Sequence, residues 1–160
     1  MKLTNSQEEY LKTIYILENA NNKVRVTDIA NKMDITKPSV NKAVKTLNEF
    51  QLLDYQAYGD ISLTSKGKEF AKEIIRREDI IEMFLVDVLE IEKNQAKKEA
   101  IAMKHAISKV TSQKLERYIS QILELDGLDC DFDENSEKCR NCIKITAKNR
   151  LKNKKEEKIC

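Results

Sequence analysis

Apolar side chains recur at helical spacing from the start of the chain. Tyr10, Leu11, Ile14, Tyr15 and Leu17 follow a Ser6 to Glu9 pair spaced like a capping box, which predicts an amphipathic helix over roughly residues 5–20. In VRVTDIANKM a shorter helix carries Ile29, Ala30 and Met33 on one face, with Thr27 as its cap. Thr36 then stands as N-cap before KPSVNKAVKTLNEF. Pro38 falls in the first turn, where its missing N–H is no loss, and Val40, Ala43, Val44 and Leu47 form the inward stripe. Beyond this helix the period shortens, and Leu52 to Gln56 and Asp60 to Leu63 are expected as two strands of a hairpin turning at Gly59. Thr64 and Ser65 cap a long periodic stretch through Phe70, Ile74, Ile81, Leu85 and Val88, ending near Glu90. A helix of ~25 residues is twice the usual length, as when a binding domain is joined to a dimer interface. Two more helices are expected at about 94–108 and 111–125, and Asp126 and Gly127 end the helical body.

Composition supports this picture. Of 160 residues, 41% are apolar and 35% charged, with three Gly and one Pro, which suits a helix-rich protein with few strands. The length allows one domain, or a small domain with an appended module. No run approaches the ~18 apolar residues of a membrane span, and the first residues lack the apolar stretch of a signal peptide, so a cytoplasmic protein without a membrane partner is expected. With one His, no glycine-rich phosphate loop and no evident nucleophile–base pair, neither catalysis nor a small-molecule substrate is expected.

The net charge of +2 is unremarkable, but its distribution is not. Lys23, Arg25, Lys32, Lys37, Lys42 and Lys45 crowd a segment whose acids are Asp28 and Asp34. Short helix, turn, second helix with a polar first turn, then hairpin is the order of a winged helix-turn-helix. The expected fold is mainly α: a winged helix-turn-helix DNA-binding domain over 1–72, a helical dimerisation and metal-sensing domain over 73–126, and a charged tail over 127–160. Lys37, Ser39, Asn41, Lys42 and Lys45 alternate with buried positions, so they face outward. Asn suits adenine and Lys guanine in the major groove, while Thr36 and Ser39 suit phosphates. Arg25, Thr27, Pro38 and the wing residue Tyr58 complete the expected surface for double-stranded DNA.

At this point SQEEYLKTIYIL, VRVTDIANKMDITKPSVNKAVKTL, LDYQAYGDISLTSKGKEFA, IIEMFL and EAIAMKHAIS, in this order over about residues 5–120, resemble the diphtheria toxin repressor and manganese transport regulator family of metal-dependent transcription factors. The resemblance implies a homodimer that binds palindromic operators when its regulatory metal is bound; the third, barrel-like domain of longer members does not fit this length. It also implies ligand positions. Glu9 and Glu82 stand where acidic ligands are expected, His105 matches a ligand histidine, and Glu78 replaces another. Lys12 and Lys104 replace carboxylates, Ile101 replaces a Cys or Glu, and Lys97 falls at a further His position. An ammonium has no lone pair for a cation. Glu9, Glu78, Glu82 and His105 are therefore a degenerate set, which either makes a weak or rearranged site or pairs with lysine.

The tail offers different chemistry. Six acids lie between Asp126 and Lys138, followed by seven basic residues between Lys144 and Lys158. In CDFDENSEKCRNC, Cys130, Cys139 and Cys142 combine with the distant Cys160 as C-x8-C-x2-C-x17-C, and the pair two residues apart can turn both thiolates onto one metal. The candidate cofactors are a divalent transition metal (iron, manganese or zinc) or an iron–sulfur cluster; an uncommitted tail and a disulfide switch remain alternatives. Two functions follow: a dimeric DNA-binding regulator, expected to be a repressor, of metal or iron–sulfur homeostasis, or a metal or cluster carrier whose helix-turn-helix is an interaction surface.

Overall fold

The computed structural model describes residues 3–20, 23–55, 59–122, 132–133 and 138–139. Its elements run α1 (Asn5–Ala20), α2 (Val26–Met33), α3 (Lys37–Glu49), β1 (Leu53–Tyr55), β2 (Ile61–Leu63), α4 (Ser65–Met83), α5 (Lys93–Ala106), α6 (Lys109–Ile122), β3 (Phe132–Asp133) and β4 (Lys138–Cys139). The chain divides into two compact units, Met1–Ile74 and Ile75–Cys160, and the division falls inside α4. Among the described residues no helix is long and apolar enough to cross a membrane.

Helix starts correct two expectations. The capping box of α1 is made by Thr4 and Gln7, not Ser6 and Glu9: the Thr4 amide donates to Gln7 Oε1 at 2.9 Å, and the Gln7 amide to Thr4 Oγ1 at 3.3 Å. Similarly, α2 begins at Val26, so Thr27 is already helical. The extended residue before it is Arg25 (φ −118°, ψ 161°), whose amide donates to Asp28 Oδ2 at 2.8 Å. Thr36 does precede α3 in extended conformation, but its hydroxyl meets Ser39 Oγ at 3.0 Å rather than a backbone amide. Thr64 caps α4 by accepting from the Gly67 amide at 3.0 Å.

In the first unit, Leu11 and Ile14 of α1, Ile29 of α2 and Val40, Val44 and Leu47 of α3 are fully buried. Helix α1 packs on α2, α3 and β2, while α3 packs on β1. Strands β1 and β2 pair antiparallel with Leu53 opposite Leu63, and the Ile61 amide donates to the Val24 carbonyl at 2.8 Å, tying the hairpin to the segment before α2. The alternation of buried Leu53, Ile61 and Leu63 with exposed Asp54 and Ser62 is why this segment pairs as strands. Gly67 sits where α4 starts against the turn between α3 and β1: a Cβ there would collide with the Leu52 carbonyl oxygen.

Helices α2 and α3 end without glycine. Asp34 (φ 53°) and Gln51 (φ 59°) take the left-handed conformation, and the following amides of Ile35 and Leu52 reach back to Ala30 and Leu47 at 3.0 Å. Both are Schellman closures made by residues that seldom adopt this geometry.

The second unit is built on the later part of α4. Ile81 and Leu85 bury with Ala96 and Ala100 of α5, and Ile80 and Met83 bury with Ile119 of α6. The expected long helix does reach Val88, but its last turn, Phe84–Val88, is π-helical, closed by the Leu89 amide on the Phe84 carbonyl at 3.1 Å. Strands β3 and β4, not expected from the sequence, pair antiparallel with Phe132 opposite Cys139.

Candidate functional site

The first unit presents a polar arc on α3. Val40, Val44 and Leu47 take the inner face, which turns Pro38, Lys42 and Lys45 outward; all three are exposed, as are Thr36, Lys37 and Ser39 before and within the first turn. Asn41 is half-buried at the edge of this arc, with the Tyr55 hydroxyl 3.5 Å from its Oδ1. Asn48 Oδ1 accepts from the Tyr55 amide at 3.2 Å, so the same tyrosine is fixed to α3 from the hairpin. Arg25 is exposed and Thr27 half-buried. Asp60, on the hairpin, lies 3.6 Å from both Arg25 and Lys23, an exposed pairing that positions more than it stabilises. Tyr58 lies outside the described residues. Sequence reasoning did not single out Asp60, Asn48 or Tyr55; only pairing in three dimensions marks them.

The arrangement suits a polyanion. Three lysines of one helix face outward with Ser39 and Asn41 beside them, the residue types that hold phosphates and read base edges.

The implied metal ligands fall in both units. In the first, Glu9 Oε2 is 2.8 Å from Lys12 Nζ, one turn along α1. In the second, Glu78 and Glu82 lie four residues apart on one face of α4, and Glu82 and Asp79 are buried. Lys104 is buried on α5 at the end of the stripe formed by Ala96 and Ala100; its side chain has 0% exposure, and its Nζ donates to Glu78 Oε2 at 3.0 Å. His105 is half-buried beside it on the same last turn.

Lysine is a donor without lone pairs, so the groups around Glu9 and Glu78 do not fit a divalent cation. Among the described residues, no group of three His, Cys, Asp or Glu is placed to hold a metal ion. Cys130, Cys142 and Cys160 lie outside the described residues, and Cys139 is described only as part of β4.

Two other features belong to the second unit. Val110, Tyr118 and Ile122 of α6 are 62%, 55% and 44% exposed, a partly apolar outer stripe that runs alongside the buried Ile119. Glu92 caps α5, accepting the amides of Asn94 and Gln95 at 3.0 and 3.1 Å; these bonds, with a smaller pull from Lys98, hold its carboxyl below the ordinary range.

Comparison with known proteins places these features in context. Residues 2–61 match the iron dependent repressor N-terminal DNA binding domain, and residues 64–124 the iron dependent repressor metal binding and dimerisation domain. An uncharacterised HTH-type transcriptional regulator of Methanocaldococcus jannaschii is 31% identical over 120 residues, 74% of this chain and 96% of that protein. The HTH-type transcriptional regulator MntR of Oceanobacillus iheyensis is 39% identical over 82 residues, 51% of this chain and 56% of that one. The solved structure of the manganese regulator SloR superposes with a TM-score of 0.62 at 30% identity, covering 75% of this chain and 55% of that one. The chain thus spans just over half the length of the last two.

Proposed function

Because this chain belongs to the iron-dependent repressor family, whose members are transcriptional regulators, we propose that it represses transcription as a homodimer on palindromic operators, in response to a transition metal or to iron–sulfur status. The outward arc of Lys37, Ser39, Lys42 and Lys45 on α3, with Asn41 at its edge, is the observation that carries this reading. In it α3 lies in the major groove. Lys42 and Lys45 meet phosphates or guanine edges, Asn41 meets adenine, and Arg25 and Thr36 hold the flanking backbone. Two copies then set two recognition helices about one turn of DNA apart, ~34 Å. The exposed apolar residues of α6 support self-association through the second unit. In this reading the effector, a divalent iron, manganese or zinc ion or an iron–sulfur cluster, is sensed through Cys130, Cys139, Cys142 and Cys160, a candidate set supported by the two-residue spacing of Cys139 and Cys142 in the sequence.

The test is binding to an operator selected by the protein from random duplexes. Lys42→Ala should weaken binding and lower the salt-dependence slope by about one, whereas Asn41→Ala should cost ~1–3 kcal/mol and relax preference at one base position. Unaltered operator affinity in the double variant would refute the assigned face.

A further inference from the structure

We propose that Lys104 is a resident cation of the second unit, standing at a ligand position that the family resemblance implies, so that this site takes up no divalent metal. The inference goes beyond DNA recognition and does not depend on it.

The argument begins with cost. Lys104 is an ammonium with no solvent exposure, and such a group is strongly destabilising unless charge and hydrogen bonds compensate it. Glu78 supplies a carboxylate at 3.0 Å, and the carbonyl end of α5 supplies a negative dipole, because Lys104 lies in that helix's last turn. The need is mutual. Glu78, Asp79 and Glu82 place three carboxylates within five residues of α4, and Asp79 and Glu82 are themselves buried. Of these, Glu78 is the one that Lys104 meets, and a carboxylate so far withdrawn from water is stabilised by an adjacent cation. In this chain the cation is covalently attached. Ala96 and Ala100 keep the buried stripe of α5 narrow, and Lys104 continues that stripe at i+4, which directs its side chain inward rather than to water.

The first unit shows the same substitution independently. Lys12 reaches Glu9 at 2.8 Å, its side chain only 14% exposed. In each unit, therefore, a carboxylate at an implied ligand position is matched by an ammonium from another such position.

The experiment uses the full chain with its four cysteines changed to serine, so that the tail cannot contribute metal ligands, and measures thermal unfolding with EDTA or manganese chloride alone. A site of micromolar affinity would be filled by ~1 mM metal and would raise the midpoint by roughly 10 °C. The expected result is a midpoint that changes by less than about 1 °C between the two conditions, within the scatter allowed by so small a stability change. Lys104→Glu should convert the domain to a divalent-dependent one whose midpoint rises with manganese. If that variant does not fold, Lys104→Met provides the second measurement: its midpoint should fall by several degrees, and adding Glu78→Gln should recover part of the loss. A manganese-dependent rise near 10 °C in the parent chain, or an unchanged midpoint in Lys104→Met, would overturn the proposal. Unfolding is read without DNA, so failure of operator binding would count against the proposed function and leave this result standing.

Discussion

At the scale of single residues, the contacts that matter most are those with no freedom to adjust. Gly67 faces backbone, the carbonyl of Leu52, not a side chain able to swing aside. Gly67→Ala must displace the start of α4 from the turn between α3 and β1, and thermal denaturation should register a loss of about 1–3 kcal/mol or more, the range for overpacking. Glu92 makes a pH-dependent contribution. Its carboxyl is held low by the Asn94 and Gln95 amides, so its stabilisation is present above the unfolded-state pKa and is lost as pH falls through the lower folded value. Glu92→Ala should therefore melt below the wild type at neutral pH, and the gap should close as pH drops below about 4. Side-chain roles of this kind were only partly legible. Thr64 and Pro38 announce their helix starts by type and position, but Thr4 and Gln7 displaced the equally plausible Ser6 and Glu9, and nothing local distinguishes the two pairs.

At the scale of elements, hydrophobic spacing located α1, α3, α4 and the hairpin well, because each has one buried face. It failed where geometry changes without a change of period. The π-helical turn at Phe84–Val88 is a run of apolar residues around Asp87 with no Gly or Pro to mark it, and left-handed Asp34 and Gln51 do the work usually assigned to glycine. The second strand pair, Phe132–Asp133 with Lys138–Cys139, is too short and too acidic to alternate visibly. Helix α6 gives a prediction of its own. Its outer face combines exposed Val110, Tyr118 and Ile122, spaced by multiples of four. In the proposed homodimer these residues are covered, so Val110→Lys with Tyr118→Lys should shift light-scattering mass from dimer to monomer while leaving helical content unchanged. A dimer of undiminished stability would place the interface elsewhere.

At the scale of the whole molecule, the order of segments from SQEEYLKTIYIL to EAIAMKHAIS made the family legible, since several separated stretches had to occur together. The candidate site was legible in its parts but not in its pairing. That Lys104 and Lys12 are poor ligands follows from their chemistry alone; that Lys104 is buried against Glu78, twenty-six residues away in sequence, does not. The second unit also exceeds what its helical pattern disclosed, because the family's metal-binding domain is populated here by an ammonium with no exposure.

The passage from one compact unit to the other occurs between Ile74 and Ile75, both buried and both interior to α4. Consequently there is no loop at which the two halves can be cleanly separated. A shortened version ending at that boundary would strip four terminal carbonyls of their hydrogen-bond partners and remove the remainder of the helix that continues to Met83. Fragments meant to isolate the DNA-binding half are better extended past that residue, and exchanging halves between relatives requires matching a helical register rather than a linker length.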